Sequence, residues 1–188
     1  MPAVLRRSPL AMVLLALLEE AAMHAYRMQQ LIRERAQDSV VNVGSRNSVY
    51  QVLDRLQRHQ LIAVAEDGGQ GGKTVYEITG AGRETLYAWL GEMLGRPRNE
   101  YPEFPAALAF VALLTPARTA ELLAERIAEL DAVLAQPDPE TVGKELGLPR
   151  VFLVEDEYKR AMATAERAWV AGLVADLRSG SLAWERPG

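Results

Sequence analysis

The spacing of apolar residues predicts three helices in the first third of the chain. Residues 9–20 are apolar at almost every position, which predicts a helix buried on most of its sides. Ser8 and Pro9 suit its N-cap and its first helical position. A second helix is predicted over residues 24–36. In a third, over residues 46–60, apolar side chains recur at spacings of three and four, which gives one inward face and one polar face.

A β-hairpin is predicted after the third helix. Residues 61–66 and 74–79 are rich in β-prone side chains, and they flank a glycine-rich run that ends at Lys73. Thr79 is a suitable N-cap for a fourth helix over residues 80–94. Three helices followed by a hairpin are the element order of a winged helix-turn-helix domain.

A domain boundary is predicted over residues 95–102, which contain two prolines and a glycine. It separates an N-terminal domain, 1–95, from a C-terminal domain, 100–188. The C-terminal helices are predicted over residues 103–114, from Thr115 to Pro137, and from after Pro149 to about Arg178. The fold class is therefore mainly α: a winged helix-turn-helix domain with a small β-hairpin, followed by an all-helical C-terminal dimerisation domain.

The last predicted helix carries a long apolar stripe. Tyr158, Met162, Trp169 and Leu173 recur at helical spacing. A helix of about 30 residues is about 45 Å long, which is longer than a domain of this size can cover by itself. Since monomers avoid leaving a large apolar patch in water, the sequence predicts a homodimer formed through the C-terminal helices.

The composition excludes several kinds of chemistry. The chain has no cysteine, so disulfides, thiolate zinc sites and cysteine nucleophiles are impossible. Its two histidines, His24 and His59, do not form a metal-ligand spacing. The glycine-rich run before Lys73 lacks the Walker spacing and lies in a hairpin rather than before a helix. We therefore expect no catalytic residues, no metal and no cofactor, and an enzyme is the least favoured class of function.

The charge is distributed unevenly along the chain. The net charge of −4 divides into +2 over residues 1–98 and −6 over residues 99–188. The N-terminal half can therefore approach a polyanion. Arg6 and Arg7 precede a nine-residue apolar run, which resembles a signal peptide, but the run is too short to span a bilayer and glutamates follow it at once. We expect a cytoplasmic protein with no membrane partner.

Three segments carry a resemblance to a known family. They are His24-Ala-Tyr26, residues 48–56 followed by Leu61-Ile62, and residues 76–83. Together they resemble the PadR family of bacterial transcriptional regulators over about residues 9–95. The last helix is similar to that of members with extended C-terminal domains. The resemblance implies a cytoplasmic homodimer that usually represses transcription and often responds to a small aromatic or lipophilic effector. Ala25 departs from the glycine that the family commonly has before the tyrosine.

The predicted third helix is the candidate reader of double-stranded operator DNA. A helix in the major groove must present polar side chains from its first turns while its other face packs on the domain. A lysine beside glycines can approach the phosphate backbone closely. The candidate DNA-binding residues are Ser45, Arg46, Asn47, Ser48, Tyr50, Gln51, Arg55 and Lys73. The alternative is a winged-helix protein–protein interaction module without DNA binding, but such a module would expose apolar anchors on this helix.

An effector site is predicted near the junction of the two domains. Trp89, Tyr101 and Phe104 lie near this junction in the sequence, and Trp169 can approach from the last helix. Aromatic walls are a common lining of ligand pockets. The acidic C-terminal domain is also larger than a simple dimer clasp requires. These four residues are the candidate contacts for a small, largely apolar effector, although each ring can also serve only in packing.

Overall fold

The structure is a computed structural model that describes residues 7–42, 46–66 and 73–185. The chain divides into two units, Met1–Asn99 and Glu100–Gly188. The elements of the first unit are α1 (Pro9–Glu20), β1 (Met23–His24), α2 (Ala25–Glu34), a 3₁₀ turn (Gln37–Ser39), α3 (Arg46–Arg58), β2 (Ile62–Glu66), β3 (Val75–Ile78) and α4 (Gly80–Gly95). Those of the second are α5 (Glu103–Leu108), a 3₁₀ turn (Val111–Leu113), α6 (Pro116–Leu134), α7 (Pro139–Leu146), a 3₁₀ turn (Arg150–Phe152) and α8 (Val154–Ser179).

The first unit is a winged helix built around α1. Ser8 caps this helix, as predicted, because its hydroxyl accepts the Ala11 N–H at 3.2 Å. Leu14 and Leu15 are completely buried, and the helix packs against α3, α4 and β3. Burying a leucine side chain contributes about 1.5–3 kcal/mol. The nearly uniform apolar sequence of α1 therefore supplies the centre of the core.

The sheet has three strands rather than the two of the predicted hairpin. Its order is β1-β3-β2, and both pairs are antiparallel. Met23 pairs with Tyr76 and Ile62 pairs with Ile78. Two residues are too few to show the alternation of a strand, so β1 has no signal in the sequence. It forms because the chain leaving α1 runs beside the free edge of β3. The predicted hairpin tip at residues 67–72 lies outside the described residues.

Helices α2 and α3 are shorter than predicted. The predicted ends were Ala36 and Gln60, whereas the helices end at Glu34 and Arg58. Ala36 and Gln60 both have positive φ angles, of 52° and 58°. A residue in the left-handed region cannot continue a right-handed helix. Because neither residue is a glycine or an asparagine, the sequence gives no sign of these two stops.

The second unit is held together by α6 and α8. Its core contains Ala120 and Leu123 of α6 packed against Val170, Val174 and Leu177 of α8. Ion pairs join the same two helices, Arg126 with Glu166 and Arg167 with Asp131. Arg167 hydrogen-bonds Asp131, and this contact lowers the pKa of that carboxyl group.

Several boundaries in the second unit differ from those predicted. The helix predicted over residues 103–114 is the six-residue α5 followed by a 3₁₀ turn. The last helix begins at Val154 rather than directly after Pro149. Helix α7 was not predicted, because Pro137 and Pro139 were interpreted only as the end of the preceding helix. Pro139 in fact starts α7, and Asp138 caps it by accepting the Glu140 and Thr141 N–H groups.

The face of α8 that packs within the chain includes only Leu173 of the four residues named for the predicted stripe. Val170, Val174 and Leu177 are buried against α6, whereas Tyr158, Met162 and Trp169 are 64%, 48% and 54% exposed. Helix α8 therefore has two apolar faces, and only one of them is covered within a single chain. Among the described residues, no helix has both the length and the apolar character needed to cross a membrane.

We predict that Gly82 in α4 does not tolerate a side chain. A Cβ atom there would clash with the carbonyl oxygen of Leu61 and lie 2.7 Å from Cγ1 of Ile78. Gly82→Ala is expected to lower the free energy of unfolding by about 1–3 kcal/mol. Gly91 of the same helix has open space around its Cβ position. Gly91→Ala is therefore expected to raise the free energy of unfolding by about 0.5–1 kcal/mol in urea titrations. The same sign for both substitutions would contradict this packing.

Candidate nucleic-acid interface

Helix α3 has the two faces that a reading helix needs. Val49, Leu53 and Leu56 are buried in the core of the first unit, as their spacing predicts. On the opposite side Tyr50 and Gln51 are exposed. The apolar face fixes the helix to the unit, while the polar side chains stay free for a partner.

The first turn of α3 contains most of the other predicted contacts. Ser48 is half-buried. Arg46 and Asn47 belong to α3, but their side chains lie outside the described part of the structure, and Ser45 lies outside it altogether. The base contacts proposed for these residues stay predictions from the sequence.

A cavity of about 490 Å³ lies beside the exposed face of α3. It is formed where the start of α2, the middle of α3 and the start of β3 come together. Three tyrosines and a lysine give it its chemical character. The lining residues are His24, Ala25, Tyr26, Tyr50, Lys73, Thr74 and Tyr76. Two predicted contacts are thus brought into one site, although Tyr50 lies in α3 and Lys73 lies just before β3.

The side chains around this cavity contact one another. The ammonium group of Lys73 lies 5.0 Å from the ring centroid of Tyr26, a cation–π contact. His24 Nδ1 accepts the Arg27 N–H at 3.0 Å and so caps α2, which begins at Ala25. The His24 and Tyr26 ring centroids lie 6.2 Å apart.

The cavity presents hydrogen-bond donors. Burial raises the pKa of Tyr76, and the nearby Tyr50 and Asp54 add to the effect. The phenol of Tyr76 therefore keeps its proton at neutral pH. Phenol O–H groups and a lysine ammonium donate hydrogen bonds, and they are side chains that bind DNA phosphates. The arrangement can therefore hold an anionic oxygen beside the exposed face of α3.

Tyr26 has a different environment from the one its position in the sequence predicts. Its spacing with Met28, Leu31 and Ile32 predicts that it belongs to the apolar stripe of the second helix. Those three residues are buried, whereas Tyr26 is 53% exposed and lines the cavity. The one available signal was the position of Tyr26 in the first turn of the predicted helix, because the adjacent strand β1 was not predicted. The sequence interpretation gave packing more weight.

Arg55 is not part of the cavity. Its guanidinium Nη2 donates to the Ser8 hydroxyl at 3.3 Å, and the side chain is half-buried. The predicted DNA contact is thus directed at the N-cap of α1 instead of being clustered with Tyr50 and Lys73.

The four predicted effector contacts have different surroundings. Trp89 is buried in the core of the first unit, and Tyr101 is 82% exposed. In the second unit Phe104 and Trp169 meet edge to face, with ring centroids 6.3 Å apart. The Arg126 guanidinium lies 3.6 Å from the Phe104 centroid. Within the described ranges, no group of three acidic or histidine side chains could hold a metal ion.

The fold and the exposed face of α3 define a winged-helix protein of the nucleic-acid-binding type. Residues 14–88 match the model of the transcriptional regulator PadR-like family. This match over the N-terminal part of the chain confirms the resemblance predicted from the sequence. The PadR-like family is one of transcription regulators rather than of enzymes, so the expectation that the chain is not an enzyme is also confirmed.

Solved structures of PadR and related regulators are similar to the whole chain. Bacillus subtilis PadR in complex with operator DNA has a TM-score of 0.65 and 17% identity, and the match covers 92% of this chain and 99% of that one. The same protein with p-coumaric acid has a TM-score of 0.68 and 18% identity, over 90% and 98% of the two chains. The Vibrio cholerae virulence activator AphA has a TM-score of 0.67 and 20% identity, over 90% and 98%.

These similarities confirm the predicted fold class, a winged helix followed by a helical C-terminal region. No curated protein matches the chain in sequence.

Proposed function

We propose that this protein is a sequence-specific DNA-binding regulator that binds its operator as a homodimer in the cytoplasm. The proposal rests on one observation. Tyr50 of α3, Lys73 just before β3 and Tyr26 of α2 line the same cavity. The exposed face of α3 reads base edges, and the donors around the cavity hold the adjacent phosphate. Phosphate contacts position a protein on DNA, while base contacts supply its sequence preference.

The alternative is a protein-interaction module that does not bind DNA. The chemistry of α3 argues against it, because Gln51, Asp54 and Arg58 are exposed where a docking helix would present apolar anchors. The match to Bacillus subtilis PadR bound to operator DNA also favours the DNA-binding function. Binding-site selection from a random-sequence DNA pool tests the proposal directly. Failure to enrich any sequence would favour the interaction module.

The direction of regulation is proposed to be repression. AphA, which has the same fold, is named an activator, so the fold by itself does not determine the direction. A promoter–reporter fusion with and without the protein tests it, and lower reporter output in its presence is the expected result.

Lys73→Ala is predicted to weaken binding to all DNA sequences about equally. The substitution removes one phosphate contact, so the slope of log affinity against log salt becomes shallower by about one. Gln51→Ala should instead lower the preference for the operator over unrelated DNA by about 1–3 kcal/mol. Lys144→Ala is the matched control, since Lys144 lies in the second unit and pairs with Glu140. An unchanged salt slope in Lys73→Ala would contradict the phosphate role.

Homodimerisation through the C-terminal helices is proposed from the uncovered face of α8. Its 26 residues span about 39 Å, and Tyr158, Met162 and Trp169 on it are largely exposed in the single chain. A second copy related by a two-fold axis would bury this face in both chains.

The double substitution Tyr158→Glu with Met162→Glu is predicted to shift the protein to monomers at micromolar concentration, because charged groups would face each other across the interface. Analytical ultracentrifugation measures the change. Leu94→Glu is the control, since Leu94 is 87% exposed and lies in α4 of the first unit. If the double variant stays dimeric, the dimer interface does not include this face of α8.

A small aromatic effector is proposed to release the protein from DNA, with Phe104 and Trp169, which meet edge to face in the second unit, as candidate contacts. Bacillus subtilis PadR, which has the same fold, was solved with p-coumaric acid, so this acid is the first member of a phenolic test panel. Tryptophan fluorescence and operator affinity are predicted to change together on binding. A tenfold release corresponds to about 1.4 kcal/mol of coupling. A ligand that quenches fluorescence at saturation without changing operator affinity would not be an inducer.

A further inference from the structure

Two arginines tie the segment just before α1 to the rest of the first unit. Arg7 pairs with Glu92 of α4 at 2.6 Å. Arg55, in the last turn of α3, donates to the Ser8 hydroxyl at 3.3 Å across 47 residues of sequence. The same hydroxyl accepts the Ala11 N–H and caps α1. Ser8 therefore joins the start of the central helix to the end of the reading helix.

The guanidinium group of Arg55 is partly buried, unlike that of an arginine that faces solvent. Its Nε atom is buried and has no hydrogen-bond partner among the described residues. Leaving a buried donor unpaired costs free energy, so a purely structural side chain at this position would be better apolar. An arginine that contacts a phosphate would instead extend into solvent, as Arg58 does; among the described residues Arg58 pairs with Asp54 one turn away. Neither a packing role nor a direct DNA contact explains this geometry.

We infer that Arg55 is a positioning residue, which fixes the orientation of α3 through Ser8 and so sets how accurately the helix reads DNA. The inference rests on the proposed function. Base readout needs side chains held within about 0.5 Å and 10–20° of their working geometry. The buried face of α3 holds the helix against the core, but apolar contacts are not directional. The hydrogen bond from Arg55 to Ser8 supplies a directional contact at the end of α3.

Arg55→Met tests the inference in the full-length protein. Methionine keeps the long side chain and removes the unpaired buried donor, so the fold is retained. The operator preference, measured as the affinity ratio between the selected duplex and a scrambled duplex, is expected to fall at least about fivefold. The salt slope should stay unchanged, because no phosphate contact is lost. Arg83→Met is the matched control: it removes the same charge from α4, where Arg83 pairs with Glu19 of α1, and should keep the preference.

Substitutions of Ser8 provide a second test of the contact between Arg55 and Ser8. Ser8→Ala removes the acceptor and should reduce the operator preference as Arg55→Met does, and the double variant should lose no more than either single variant. Ser8→Asp keeps both the N-cap and an acceptor for Arg55, so it should retain the preference. Thermal unfolding checks that Arg55→Met, Ser8→Ala, their double variant and Ser8→Asp are folded. The Tm shifts are expected to be within about 2–4 °C per lost contact.

The outcomes separate this inference from the proposed function. A shallower salt slope in Arg55→Met, with equal weakening on both duplexes, would make Arg55 a phosphate contact and overturn the positioning role. Additive losses in the Ser8 and Arg55 double variant would overturn it as well. An unchanged preference in Arg55→Met would overturn this inference alone, whereas a wild-type protein with no preference for any duplex would overturn the proposed function with it.

Discussion

Helix α1 has almost no polar side, and the first unit is arranged around the need to bury it. Leu10 to Leu18 contribute seven buried side chains, and α3, α4 and β3 each cover part of the helix. Because the apolar face of α3 is buried in this contact, the opposite face is exposed to solvent and carries polar residues. Strand β3 packs on α1 as well, and the residues just before it, Lys73 and Thr74, line the cavity beside α3. The burial of one apolar helix thus determines where the candidate DNA interface forms.

The cavity beside α3 forms where the start of α2, the middle of α3 and the start of β3 come together. His24 closes the start of α2 by accepting a backbone N–H, and this fixes the first turn that carries Tyr26. Strand β3 begins just after Lys73, so its first residues adjoin that turn through the pairing of His24 with Val75. Tyr50 completes the site from α3. Tyr26 and Tyr50 are therefore carried by helices and Tyr76 by β3, and regular structure of this kind gives the rigidity that recognition of DNA requires.

The sequence predicts the elements whose signals are local and misses those that depend on distant residues. Ser8, Pro9 and the apolar run predict both ends of α1, and Thr79 predicts the start of α4. Strand β1 depends on pairing with β3, which no local pattern records. Pro137 and Pro139 indicate the end of the preceding helix, whereas Pro139 begins α7. For the candidate site, the polar face of α3 was predictable from spacing, whereas the contact of Arg55 with Ser8 requires the tertiary fold.

The central claim is that the exposed face of α3 contacts DNA directly. Photo-crosslinking in the full-length protein tests it, with benzoylphenylalanine placed at Tyr50 in one variant and at Tyr158 in another. Both tyrosines are more than half exposed, and only Tyr50 lines the cavity beside α3. The account predicts a strong crosslink to the selected duplex from position 50 and none from position 158. Equal crosslinking from both positions, or none from position 50, would contradict it.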